Sequence, residues 1–193
     1  MHEAWWTGFD CFPVSYPRDP NGAASLWGCG FGDVIRPAVS GDAEAIARVH
    51  VRGWQQAYAH VFAQADLAAL SVEGRIESAR DLIGSPVAVV AEREGELLGF
   101  AFAGPSRDEV SVAELYSIYV DPSAWGTGLG RGLILEVERR LRQLQYRQAE
   151  LWVLQDNPRA RRFYEAADWC SDDVRLIEVF GSEVAEVRYY RHL

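Results

Sequence analysis

Apolar and polar positions change period several times along the chain, and each change marks an element. Residues 34–39 read as a short strand. Ser40 can then cap a helix whose first turn holds Asp42 and Glu44, acids placed at the positive end of the helix dipole. Ile46, Val49, Trp54, Ala57, Tyr58 and Val61 follow at helical spacing. His50 and His60 fall on the polar side of that reading and are expected to face solvent. A second helix starts after Ser71, carries Val72, Ile76, Ala79 and Ile83 in step, and stops at Gly84. Residues 87–93 and 96–104 flank Glu94-Gly95 as a β-hairpin, and 113–120 form a third apolar run. The clearest helix spans 128–146, where Leu129, Leu133, Val137, Leu141 and Leu144 make one stripe opposite arginines and glutamates. Residues 148–154 read as a strand, 158–167 as a short helix, and 174–180 and 183–190 as closing strands. Strands and helices mix without strict alternation. The pattern therefore predicts an α+β domain around one largely antiparallel sheet.

Residues 1–33 follow no such period. They set Trp5, Trp6, Phe9, Phe12, Tyr16, Trp27 and Phe31 among prolines and glycines, which break regular elements. The expectation is an irregular aromatic arm ahead of one domain over 34–193, packed on that domain or on a partner subunit. At 193 residues the chain has little room for a second domain. Acids outnumber bases 28 to 19, a formal charge of −9, so a phosphate-tracking nucleic-acid surface is not expected. Every base is arginine; without lysine there is no Walker-type phosphate loop and no lysine Schiff base. Cys11, Cys29 and Cys170 are odd in number and widely spaced, neither a disulfide framework nor a zinc site. The histidines form no H-x-x-x-H pair, and no metal is expected. No apolar stretch approaches a membrane span and no basic-then-apolar export pattern opens the sequence, so the expected location is cytoplasmic.

The chemistry concentrates where the strand at 113–120 gives way to the long helix. Asp121-Pro122 turns the chain, and glycines at 126, 128 and 130 alternate where the helix begins. Glycine lets a backbone approach a ligand closely, and a helix N-terminus offers unpaired N–H groups with partial positive charge. Together they suit a phosphate or pyrophosphate. The dinucleotide fingerprint G-x-G-x-x-G fails in both registers, because Arg131 and Leu133 occupy the third-glycine positions. Glycines serving only close packing would look the same on this loop alone. A second segment adds to it: the strand at 148–154 runs into Gln155-Asp156-Asn157-Pro158-Arg159-Ala160-Arg161-Arg162-Phe163-Tyr164-Glu165.

The succession of strand, glycine loop, long helix, strand, asparagine and short Phe-Tyr helix resembles the GNAT superfamily of N-acetyltransferases. Ile35-Arg36-Pro37-Ala38, Asp42-Ala43, Gly53-Trp54, Tyr58 and Glu186-Val187-Arg188-Tyr189 fit the same resemblance, which covers about 34–193. Two positions depart from it. Trp125 stands where many members have glutamine or arginine, and Asp168-Trp169 replaces a Gly-Phe pair, so that Asp168 would have to adopt a positive φ. The resemblance implies the GNAT fold: a mixed, largely antiparallel sheet of six to seven strands with splayed central strands, flanked by about four helices.

It also implies an acetyl group moved directly from acetyl-coenzyme A to a primary amine within a ternary complex. Backbone N–H groups of Gly126, Thr127, Gly128, Leu129, Gly130 and Arg131 would hold the pyrophosphate, and the strand backbone at Ile118, Tyr119 and Val120 would align the pantetheine arm. Asn157 would contact the cofactor or simply cap its helix. Tyr164 would protonate the leaving thiolate, and Glu114 would serve as base for the amine. Trp54, Tyr58 and Tyr116 would line the acceptor site, aromatics that helical or strand packing alone would also explain. A small-molecule or peptide amine is the implied partner, with neither nucleic acid nor membrane; a homodimer is compatible with the sequence. The rival readings are a non-catalytic acyl-coenzyme A sensor and an interaction module.

Overall fold

The computed structural model describes residues 32–193; the aromatic arm anticipated over 1–33 lies outside the described residues apart from its last two positions. Seven strands form one sheet: β1 (Asp33–Pro37), β2 (Val87–Arg93), β3 (Glu96–Pro105), β4 (Ala113–Val120), β5 (Gln148–Leu154), β6 (Cys170–Val179) and β7 (Ser182–His192), in the order β1-β2-β3-β4-β5-β7-β6. Every neighbouring pair is antiparallel except β4 and β5. Those two run parallel and pair only at Ala113↔Ala149 and Glu114↔Glu150, so beyond that point the sheet opens into a seam.

Period-2 alternation puts the two faces of the sheet against different helices. Val89, Ala101, Ile118, Leu151, Val153 and Val187 point one way, onto α4 (Leu129–Gln143) and Phe163 of α5 (Pro158–Ala166). This layer is continuous across the seam. Val90, Phe100, Phe102 and Tyr119 point the other way, onto α1 (Ala43–Ala57), with α2 (Gln64–Ala68) and α3 (Val72–Ile83) extending the cover.

The helix ends follow from local chemistry. Ser71 caps α3 by accepting from the Gly74 amide at 3.1 Å. Ser40 does not cap α1; it opens a 3-10 turn, and Asp42 takes the cap position, its carboxylate drawing on the Val39 amide and the Arg36 guanidinium at 2.8 Å. Those bonds hold the Asp42 carboxyl below its ordinary value, the Arg36 hydrogen bond foremost. The five-residue helix α2 was not legible in the periodicity, being too short to show one.

His50 reverses the expectation that it faces solvent: it is 6 % exposed. It lies four residues from both Ile46 and Trp54, in phase with the inner stripe of α1, and its ring stands edge-on to Tyr119 at 4.8 Å. Burial, and after it the positive charge of Arg75, pushes its pKa down to about 3, so it packs as a neutral ring. His60 is exposed, with Nε2 2.8 Å from the Asp156 carbonyl.

Candidate active site

β4 carries one residue more than β3 can pair. Phe102 faces Ser117 and Ala103 faces Leu115, so Tyr116 bulges out. Its hydroxyl donates to the Pro105 carbonyl at 2.7 Å and lies against Gly104, where a Cβ would come within 2.7 Å of that oxygen. Glycine is therefore what lets Tyr116 fold back over β3. Past the bulge, Ile118, Tyr119 and Val120 pair with β3 on one side only. Their other edge faces the seam.

Asp121 fixes the turn out of β4. Its amide donates to the Leu98 carbonyl at 2.7 Å, its Oδ1 accepts from Ser123 N and Oγ, and Arg52 Nε lies 2.8 Å from its carboxylate. Trp125 closes the turn from outside: its indole N–H donates to the Val120 carbonyl at 2.9 Å, and the Arg159 guanidinium stacks 3.7 Å from its ring. Gly126 (φ 73) and Gly128 (φ 91) then bring the backbone through the left-handed region, Gly128 as N-cap of α4. The amides of Gly126, Gly128, Leu129, Gly130 and Arg131 donate to no acceptor among the described residues, whereas Thr127 reaches the Ala124 carbonyl at 3.4 Å. A Cβ on Gly128 would meet nothing within 4 Å among the described residues. The Arg131 guanidinium does not turn toward the loop; it donates to the Ala166 carbonyl at 3.3 Å.

Across the seam, Asn157 caps α5 through Oδ1 (3.0 Å to the Ala160 amide) and extends Nδ2 to the Tyr58 hydroxyl at 3.3 Å. One buried amide thus ties the end of β5 to α1. Tyr164 is 2 % exposed and packs against Phe163, Trp169 and Tyr189. Burial first, then the neighbouring tyrosines 58, 119 and 189, raises its pKa well above that of a free phenol, so it keeps its proton throughout the neutral range. Trp54 and Tyr58 are 6 % and 0 % exposed; Trp54 Nε1 donates to the Tyr119 hydroxyl at 2.8 Å, so both rings belong to the aromatic layer under α1.

Glu114 sits at the closed end of the seam, chelated by Arg107: one oxygen takes Nη2, the other takes Nε at 3.0 Å and the Arg107 amide. The same face holds a polar group that sequence reasoning passed over. Glu150 on β5 accepts from Ser106 and lies 3.5 Å from Arg188; Glu186 on β7 accepts from Arg175; and the Arg175 guanidinium covers the Trp152 ring at 3.9 Å. The alternation was available as a signal, because Glu150, Trp152 and Leu154 share one phase of β5.

The splayed β4–β5 pair thus lies beside unpaired amides at the head of a long helix. The chain belongs to the GNAT acetyltransferase family: the model of the Acetyltransferase (GNAT) family matches residues 47–169. It is an acyltransferase. An uncharacterized N-acetyltransferase, YuaI, of Bacillus subtilis (strain 168) is 30 % identical over 134 residues, 68 % of this chain and 77 % of that one. A mycothiol acetyltransferase of Sanguibacter keddieii is 37 % identical over 108 residues, 54 % of this chain but 32 % of the relative, so the chain spans only about a third of that protein. Among solved structures, the PaiA N-acetyltransferase of Thermoplasma acidophilum in complex with coenzyme A superposes with a TM-score of 0.66 at 18 % identity, over 83 % of this chain and 99 % of the other. Among the described residues no helix is long and apolar enough to cross a membrane.

Proposed function

We propose that the chain moves an acetyl group from acetyl-coenzyme A to a primary amine of a small molecule or peptide, by direct transfer in a ternary complex. The observation that carries this reading is the set of unpaired amides of Gly126, Gly128, Leu129, Gly130 and Arg131, beside the unpartnered edge of β4. Unpaired amides at a helix head suit a pyrophosphate. Bound there, acetyl-coenzyme A supplies the activated thioester and a thiolate leaving group. The coenzyme A in the PaiA structure supports that choice of ligand.

The residues divide the work by position. Gly126, Gly128 and Gly130 keep side chains out of the cradle, and the amides around them hold the diphosphate. Ile118, Tyr119 and Val120 offer backbone groups to an extended arm lying in the seam. An amide there also stabilises negative charge as it develops on the carbonyl oxygen. Tyr164, kept protonated by burial, gives its proton to the departing sulfur. Asn157 holds the wall of the seam through α5 and Tyr58. Tyr116 and the polar group around Glu114 and Glu186 form the acceptor side, with Trp54 and Tyr58 shaping it from beneath.

Free coenzyme A thiol should appear with this protein only when a suitable amine is present, measured by thiol titration over a panel of alkyl and peptide amines. Coenzyme A at about a hundred times its Kd should raise unfolding stability by about 2.7 kcal/mol. Gly128→Val should weaken that binding about tenfold, because a left-handed β-branched residue costs ~1–2 kcal/mol. Thermal stabilisation without thiol release across the panel would favour a non-catalytic sensor; neither would favour an interaction module.

A further inference from the structure

The acceptor side of the seam offers two carboxylates to a reacting amine, and they are held differently. Both oxygens of Glu114 are engaged by Arg107. In Glu186, both Arg175 bonds, 3.0 Å from Nε and 2.9 Å from Nη2, go to Oε2, and Oε1 accepts no hydrogen bond among the described residues. Glu186 pairs with Leu154 at the end of β5, where β4 and β5 are apart, whereas Glu114 lies where they still touch. Trp152, in the same phase of β5 and 8 % exposed, supports Arg175 from below, and its buried Nε1 has no acceptor. An indole N–H only donates, so a donor on this face of β5 is left unused beside the Glu186–Arg175 pair.

We propose that Glu186, through Oε1, is the base that takes the proton from the incoming ammonium, and that Glu114 serves to anchor Arg107 instead. This rests on the acetyl-transfer reading above. Glu186 Oε1 accepts one proton from R–NH3+, directly or across one water, leaving the nitrogen lone pair free to attack the thioester carbonyl carbon. As the new C–N bond forms and the C–S bond breaks, Tyr164 gives its proton to sulfur and regains one from the nitrogen. The amide and the thiol leave, and Glu186 returns its proton to solvent. Charge balances: one ammonium and one thioester give one amide, one thiol and one released proton.

The surroundings poise Glu186 for this. Its carboxyl is raised, first by burial, while Arg175 from β6 and Arg107 from the β3–β4 loop pull it down and Glu114 from β4 pushes it up. Glu150 and Arg188 pair with each other farther along β5 and β7, and Asp108 lies 3.8 Å from Arg175. A base with a raised carboxyl value is better matched to neutral operation.

Glu186→Gln should lower kcat with an alkyl amine by ~10²-fold or more while coenzyme A still stabilises the variant as it does the wild type. With an aryl amine, which brings no ammonium proton at neutral pH, most of that loss should disappear. Carbon-13 NMR of glutamate-labelled wild type should show one carboxyl titrating above the ordinary glutamate range, missing from the variant. A wild type that acetylates amines beside an equally active Glu186→Gln, or an equal loss with both amine types, overturns the assignment. A wild type inactive toward every amine overturns the transfer reading and this inference with it.

Discussion

The same face of one sheet is built in two ways on either side of the β4–β5 seam. On the β1–β4 side it is aromatic and closed: Phe100, Phe102 and Tyr119 meet Trp54, Tyr58 and Phe62, and even the histidine inside is uncharged. On the β5–β7–β6 side it bears Glu150, Glu186, Arg175 and Arg188 around a single tryptophan. The first half buries its surface under α1 and gains stability from it. The second holds carboxylates that are 5 % and 3 % exposed, an arrangement with little net stabilising value unless the charges serve something else. The opening in the sheet thus separates an apolar half from a charged one, and the Asn157–Tyr58 hydrogen bond spans it.

The largest effect should come from the proposed acid. Tyr164→Phe removes the hydroxyl and keeps the ring that packs on Phe163, Trp169 and Tyr189. Turnover should fall by ~10²–10⁴, the usual range for losing a positioned acid. The affinity for coenzyme A, read by thermal shift, should barely move. Unchanged turnover would make Tyr164 only a packed ring of the core layer under α4 and α5.

A smaller effect tests the closed half by itself. His50 titrates near 3 in the folded chain against about 6.5 unfolded. Below pH ~6.5 the unfolded chain takes a proton that the native ring refuses, so the native state loses stability as pH falls. The slope is at most ~1.4 kcal/mol per pH unit, continuing down toward pH 3. Stability of the wild type should therefore drop about 2–3 kcal/mol more than that of His50→Leu between pH 6.5 and 4.5, in urea titrations of both. Parallel curves would mean that the ring is charged or solvated, and the contrast between the halves would weaken.

What could be read from the sequence follows the same division. All seven strands and the longer helices were legible, because their apolar positions keep a period of 2 or 3.6 over enough residues. Gly126 and Gly128 were legible as places where the backbone turns sharply, because positive φ and glycine go together. His50 was misplaced because residue type was weighed above phase: it lies on the inner stripe with Ile46 and Trp54. The Glu150–Glu186 group was missed for the same reason in strands, where inward carboxylates look like outward ones until their arginine partners are known. β6 begins at Cys170, ahead of the expected 174, because Ser171, Asp172 and Asp173 carry no apolar signal.

The smallest expected effect concerns strain on the charged side of the seam. Of the described non-glycine residues with positive φ, Gln145, Asp168 and Phe180 all follow the start of α4, and only Glu94 precedes it. Asp168 (φ 61) stands where the family resemblance has glycine, in the turn whose Ala167 and Trp169 amides both close on the Tyr164 carbonyl, at 2.9 and 3.0 Å. Its carboxylate is loosely placed, 3.8 Å from Arg191 and largely in water, so little is lost with it. Asp168→Gly should relieve the left-handed strain, partly offset by the freer unfolded chain, for a net gain of ~0.5 kcal/mol. That corresponds to a rise in Tm of about 1–2 °C at this chain length. Asp168→Ala should move Tm the other way, since alanine has no side-chain oxygen to support a left-handed backbone. If Tm follows this order with kcat constant, the turn only carries strain. If kcat changes with it, the two amides on the Tyr164 carbonyl are setting where the hydroxyl lies in the seam, and the strained turn belongs to the chemistry.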